Sequence, residues 1–98
     1  MTIQKQIDDK KMTLKLDGRL DTTTAPLLEA ELKSSIDDIK ELVLDFSKLE
    51  YISSAGLRVV LSSQKVMSKQ GKMEIHNVNE DIMDVFDVTG FTDILTII

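Results

Sequence analysis

The stretch Leu42-Val43-Leu44-Asp45-Phe46-Ser47-Lys48-Leu49-Glu50-Tyr51-Ile52-Ser53-Ser54-Ala55-Gly56-Leu57 decides how this chain folds. It opens on a short continuous apolar run, Leu42-Val43-Leu44, followed by Asp45-Phe46. Such a run, bounded by polar segments, reads as a strand buried on both faces. The stretch closes on a serine pair, after which Leu57, Val60, Leu61 and Met67 recur at helical spacing. The helix that follows ends at Gly71, since glycine suits the position just past a helix. Strand, short crossing and helix in succession mark an α/β unit.

Both flanks extend this pattern. Upstream, Ile3, Lys5 and Ile7 alternate with polar neighbours, as do Met12, Leu14 and Leu16. Period-two alternation predicts two half-buried strands, joined as a hairpin through Asp8-Asp9-Lys10-Lys11. Gly18 ends the second strand. Thr22-Thr23-Thr24 offers helix caps, Pro26 suits a first turn, and Leu28, Leu32 and Ile36 share one face. Glu29 and Lys33 pair on the outer side. Downstream, Met73 and Ile75 alternate in a fourth strand. Asn79 caps a third helix, with Val78 and Met83 as a hydrophobic staple and Gly90 as its stop. Ile94 to Ile98 reads as a last strand. The expected class is α/β, with a mixed sheet of about five strands, helices packed on it, and the order ββαβαβαβ.

Ninety-eight residues are enough for one ordinary core and not for two, so residues 1–98 read as a single domain. Apolar residues at 42% and charged residues at 30% describe a globular chain, not a disordered one. The net charge of −5 argues against a nucleic-acid binder, which needs a basic face. The absence of cysteine excludes disulfides, thiol catalysis and Cys-based metal sites, and the single histidine, His76, excludes a His-rich one. No apolar run is long enough to span a membrane, and no signal peptide opens the chain. The expectation is a cytoplasmic protein without metal or cofactor. A domain this small holds a modest core and not a deep substrate cavity as well.

Strand-to-helix crossings are where α/β sheets place their sites, and this one carries Ser54 at a helix start. Unpaired N–H groups and the positive end of the helix dipole favour negative charge there. A phosphate on Ser54 would bring about −1.5 to −2 charges to those donors. Ala55 and Gly56 have almost no side chain, so a partner's surface could approach the hydroxyl closely. On local sequence alone, a plain helix N-cap is the favoured reading of Ser54, and one serine can fill both roles.

The chain resembles the STAS domain, specifically the bacterial anti-sigma factor antagonist family. Gly18-Arg19-Leu20-Asp21, with Ala25 and Leu28 after it, is similar to the GxLDxxxAxxL stretch of that family. Asp45-Phe46-Ser47 through Ile52-Ser53-Ser54-Ala55-Gly56-Leu57 is similar to its phosphorylation loop, and Asp84-Val85-Phe86-Asp87-Val88-Thr89-Gly90-Phe91 to its late helix and turn. The resemblance implies a switch. The unmodified antagonist binds an anti-sigma factor that is also a serine kinase of the histidine-kinase-like ATPase fold, and so frees the sigma factor. The kinase phosphorylates a loop serine, the complex dissociates, and a PP2C-type serine phosphatase restores the hydroxyl. Aligned through Gly56-Leu57, the phosphoacceptor is Ser54, with Ser53 the fallback. Asp21, Tyr51, Ile52, Ser53, Ser54, Ala55, Gly56 and Arg58 form the expected partner surface. Family members typically carry Asp where Ser53 stands and Gly where Arg58 stands, and longer members add a C-terminal helix. The alternative is a STAS scaffold in another signalling or lipid-transport complex, with Ser54 only a cap.

Arg58 lies one helical turn after Ser54, placed either to pair with a phosphate there or to remain a solvated residue. Tyr51 reads equally as an interface anchor or as packing over the sheet edge. Asp21 caps or orients the first helix, or meets the partner. Asp81, Asp84 and Asp87 lie opposite Ile82, Val85 and Phe86 and read as a solvated helix face. His76 reads as structural or exposed, and Met12, Met67, Met73 and Met83 as core fillers. An enzyme would need a base, a metal constellation or a phosphate loop, and the chain has none of these motifs, so no catalytic residue is expected.

Overall fold

The computed structural model describes all 98 residues. Alternation in the strands sets the layers. In β2 (Lys11–Leu20), Met12, Leu14 and Leu16 are buried. Met12 and Leu14 pair in parallel with Leu42 and Leu44 of β3 (Glu41–Ile52), and these pair in turn with Met73 and Ile75 of β4 (Lys72–His76). Partners in register share a sheet face, so these residues form one apolar carpet. The three helices all contribute to the core over it: Leu28 and Leu32 from α1 (Ala25–Ser35), Leu57, Val60 and Met67 from α2 (Ser54–Gln70), and Ile82 and Phe86 from α3 (Glu80–Thr89). Phe86 meets Phe46 of β3 with ring centroids 6.4 Å apart.

The opposite face is polar, which corrects the expectation of a central strand buried on both sides. Lys11, Glu41 and Lys72 lie side by side in register and pair at 3.3 and 3.5 Å. Lys15, Asp45 and His76 form another such row. Only Val43 is buried there, between Thr13 and Glu74. The sheet order is β1-β2-β3-β4. The edge strand β1 (Thr2–Asp8) pairs antiparallel with β2 through a tight turn at Asp9 and Lys10. It is more exposed than its alternation predicts: Ile3 packs on the core, Ile7 is half exposed, and Lys5 reaches Glu31 of α1 at 2.9 Å.

Two boundaries also differ from the sequence reading. Gly18 does not end β2. Its φ of +113° sits at a bulge between two register shifts, and the strand runs on to Leu20. The expected strand over 94–98 shrinks to one bridge. After a 3₁₀ turn at Phe91–Asp93, the Ile75 N–H donates to the Thr96 carbonyl and the Ile98 N–H to the Ile75 carbonyl, both at 2.9 Å. The sheet therefore has four strands, in the order ββαβαβα. The tail's apolar residues fill gaps instead of extending a ladder: Leu95 is buried, Ile97 packs against the core, and Phe91 stacks on Phe86.

Candidate partner-docking site at the start of α2

Three segments meet where β2 and β3 end: the Asp21–Thr24 turn into α1, the last residues of β3, and the first turn of α2. The Ser53 N–H donates to the Leu20 carbonyl at 2.9 Å and ties them together. The turn is held by Asp21. Its Oδ1 accepts from the Thr23 hydroxyl (2.8 Å) and from the Thr23 and Thr24 amides (3.0 and 3.1 Å). Thr24 Oγ1 accepts from the Asp21 N–H at 2.8 Å and donates to the Arg19 carbonyl at 2.7 Å. The Thr23 hydroxyl bond, and then the two amides, hold the Asp21 carboxyl below its ordinary range against an opposing push from desolvation. Asp21 thus orients the first helix, as one of its two sequence readings has it. Its Oδ2 carries no hydrogen bond within the chain.

The serine pair divides its duties in a way the sequence does not reveal. Ser53, and not Ser54, is the N-cap: its backbone is extended and its Oγ accepts from the Gly56 N–H at 3.3 Å. Ser54 is the first helical residue, is exposed, and makes no side-chain hydrogen bond. The Leu57 amide bonds the Ser53 carbonyl, while the Ser54 and Ala55 amides have no backbone partner. The free hydroxyl therefore sits at the unsatisfied end of α2.

The other expected contact residues separate by burial. Tyr51, Ser54 and Arg58 are exposed; Asp21, Ser53 and Ala55 are half-buried; Ile52 and Gly56 face inward. Gly56 therefore does not open the way to a partner. A Cβ on it would come within 2.7 Å of Leu20 Cγ and 3.0 Å of Ile52 Cγ1, so its smallness serves close packing of α2 on the strand ends. Arg58 lines a groove of about 300 Å³ between α1 and α2, with Thr22, Ala25, Pro26, Glu29 and Ala55 among its walls. Tyr51 stacks under the guanidinium of Arg19, whose Cζ is 4.2 Å from the ring centroid. The sequence places Arg19 in the turn from Asp17 to Thr22, a surface loop expected to add to the partner surface, without singling it out as a contact residue. Only the cross-strand register, which sets Arg19 beside Tyr51, places it there.

The remaining chemistry-bearing residues lie elsewhere. His76 pairs with Glu74 at 2.9 Å on the open sheet face. Asp81, Asp84 and Asp87 are exposed on α3. Asp45 accepts from the Ser47 amide and from Asn77 Nδ2. Desolvation pushes its carboxyl up, but these bonds and the charge of Lys15 outweigh that and hold it below its ordinary range. No helix is long and apolar enough to cross a membrane.

The fold is an open-faced α/β sheet that presents an exposed serine at the start of α2. Residues 2–98 match the STAS domain model. BtrV of Bordetella bronchiseptica, a candidate anti-sigma factor antagonist, is 38% identical over 84 residues, covering 84% of this chain and 72% of BtrV. The anti-sigma-B factor antagonist of Bacillus subtilis is 28% identical over 91 residues, covering 92% of this chain and 84% of the relative. Among solved structures, the Bacillus cell fate determinant SpoIIAA in its phosphorylated form superimposes with a TM-score of 0.78 at 18% identity, covering 99% of this chain and 91% of that one. The chain is a STAS domain and belongs to the anti-sigma factor antagonist family, whose members are regulators and not enzymes.

Proposed function

We propose that this protein is a phosphorylation-switched antagonist of an anti-sigma factor. Its unmodified form docks, through the α2 start and the adjoining turn, on an anti-sigma factor that is a serine kinase of the histidine-kinase-like ATPase fold, and so releases a sigma factor. That kinase esterifies Ser54, which ends the complex, and a PP2C-type phosphatase regenerates the hydroxyl. One observation carries this reading. The Ser54 hydroxyl is exposed and bonded to nothing, because its neighbour Ser53 already caps the helix. The existence of SpoIIAA in a phosphorylated form supports it by kinship.

The energetics favour an abrupt switch. A phosphate adds about −1.5 to −2 charges and a tightly held water shell. Burying that charge unpaired in a docked interface costs enough to abolish a micromolar or nanomolar complex. The same phosphate is tolerable in the free protein, where the Ser54 and Ala55 amides and solvent receive it. Incubation with the anti-sigma kinase and ATP should raise the intact mass by one phosphate, located on Ser54 by peptide fragmentation. Calorimetry should show that Ser54→Ala keeps most of the affinity and Ser54→Asp loses it. Equal affinity of the two variants would refute the switch.

A further inference from the structure

The chain contains only two arginines, Arg19 and Arg58, among 12 Lys+Arg, and both stand at the end of the fold that presents Ser54. Arg19 is the penultimate residue of β2 and Arg58 lies in the first turns of α2, with the Asp21–Thr24 turn between them. Neither forms a salt bridge or a side-chain hydrogen bond. Of the ten lysines, Lys5, Lys11, Lys33 and Lys72 meet a carboxylate within 4 Å and the other six do not, so what sets the arginines apart is their shared place at this end of the fold. Glu29, the acid lining the Arg58 groove, is held by Lys33 at 3.1 Å. The Arg19 guanidinium lies over the Tyr51 ring, its Cζ 4.2 Å from the centroid, and no acceptor in the chain engages its N–H groups.

Arginine and exposed aromatic side chains are enriched among those that carry binding energy at interfaces, and the guanidinium's fork of donors matches a carboxylate. We infer that the docking face of this protein recognises an acidic face on its partner, with one carboxylate received by Arg19 and another by Arg58. The inference rests on the reading of this end of the fold as the docking surface and adds the chemistry of what docks there. It also gives the overall charge a use. In a chain of net charge −5, a local cationic pair at one end orients an approaching acidic partner toward that end, where it speeds encounter and sets register.

The test needs no identified partner. With only two arginines, a ¹⁵N-labelled sample shows two Nε–H signals, which are followed during titration with a hexaglutamate peptide. Both signals should move together to saturation, along with the amides of Thr22 and Ala55, and the response should vanish in about 0.5 M salt, where screening leaves only a few ångströms of reach. Arg19→Gln and Arg58→Gln should each weaken binding, read at the surviving signal, by about two- to fivefold, the worth of one exposed ion pair. Both residues are exposed, so both variants should keep the wild-type amide spectrum. Arginine signals that stay still while amides near the lysines of the open sheet face move would overturn the inference. So would tighter binding of a single-stranded oligonucleotide of equal charge at the same two signals. A chain that takes the peptide but is never phosphorylated loses the switch and keeps the acidic partner; one that is phosphorylated but deaf to the peptide does the reverse.

Discussion

Replacing the two neighbouring serines by alanine, one at a time, separates the structural hydroxyl from the accessible one. Ser53→Ala removes the acceptor of the Gly56 N–H. Loss of a serine N-cap costs about 0.5–2 kcal/mol. The bond is 3.3 Å long, beyond the usual N–H···O range, which points to the lower half of that interval, about 0.5–1 kcal/mol. Ser54→Ala removes no hydrogen bond and exchanges an exposed serine for the best helix former, so its effect should lie between zero and a stabilisation of about 0.5 kcal/mol. In urea, with a slope of about 1 kcal/mol/M for a domain this small, Ser53→Ala should lower the midpoint by about 0.5–1 M and Ser54→Ala should not lower it. Equal losses in the two variants, or the larger loss in Ser54→Ala, would refute the division of labour. The case for a hydroxyl reserved for modification would fall with it.

Three further perturbations bear on the same end of the fold. Gly56→Ala forces a methyl against Leu20 and Ile52, both buried; overpacking of about 1–3 kcal/mol, less up to about 1 kcal/mol of helix propensity, should leave a net loss of about 1–2 kcal/mol by denaturant unfolding. Asp21→Asn should change the acid limb of stability. The carboxyl titrates lower when folded than when unfolded, so its contribution is complete above the unfolded value of about 4 and disappears as pH falls through the folded value. The stability difference between wild type and variant should therefore be constant near neutrality and shrink in acid; a difference that persists below that window contradicts the assignment. With Ser54 phosphorylated, Arg58→Ala should raise the second pKa of the phosphate in a ³¹P NMR titration, because a guanidinium one turn away favours the dianion. An unchanged value would leave Arg58 free for the partner alone.

What the sequence discloses and what it withholds divide along a physical line. Periodicity is a statement about which side of an element is dry. It located the carpet of Met12, Leu14, Leu42, Leu44, Met73 and Ile75 and the helix faces that cover it, because each of those residues answers to one buried surface. It could not reveal that Ile94 to Ile98 would touch the sheet at only one residue, since plugging a gap and extending a ladder both select for apolar side chains. It misjudged Gly18 because a strand end and a bulge both need a residue tolerant of positive φ. It gave Val43 a buried second face, although burial between Thr13 and Glu74 requires no covering layer. The functional end suffered most from this degeneracy. Ser53 and Ser54 are chemically identical, and an offset of one residue decides which hydroxyl closes the helix and which is left over. Arg19 has no local signature at all, since its place beside Tyr51 exists only once β2 and β3 are in register. A docking surface is assembled from residues whose side chains the core does not need. For that reason the patterns that betray a core stay silent about it, and the unspent hydrogen-bonding capacity of Ser54, Arg19 and Arg58 becomes visible only when the bonds around them, such as Ser53 to Gly56 and Asp21 to Thr23, have been traced.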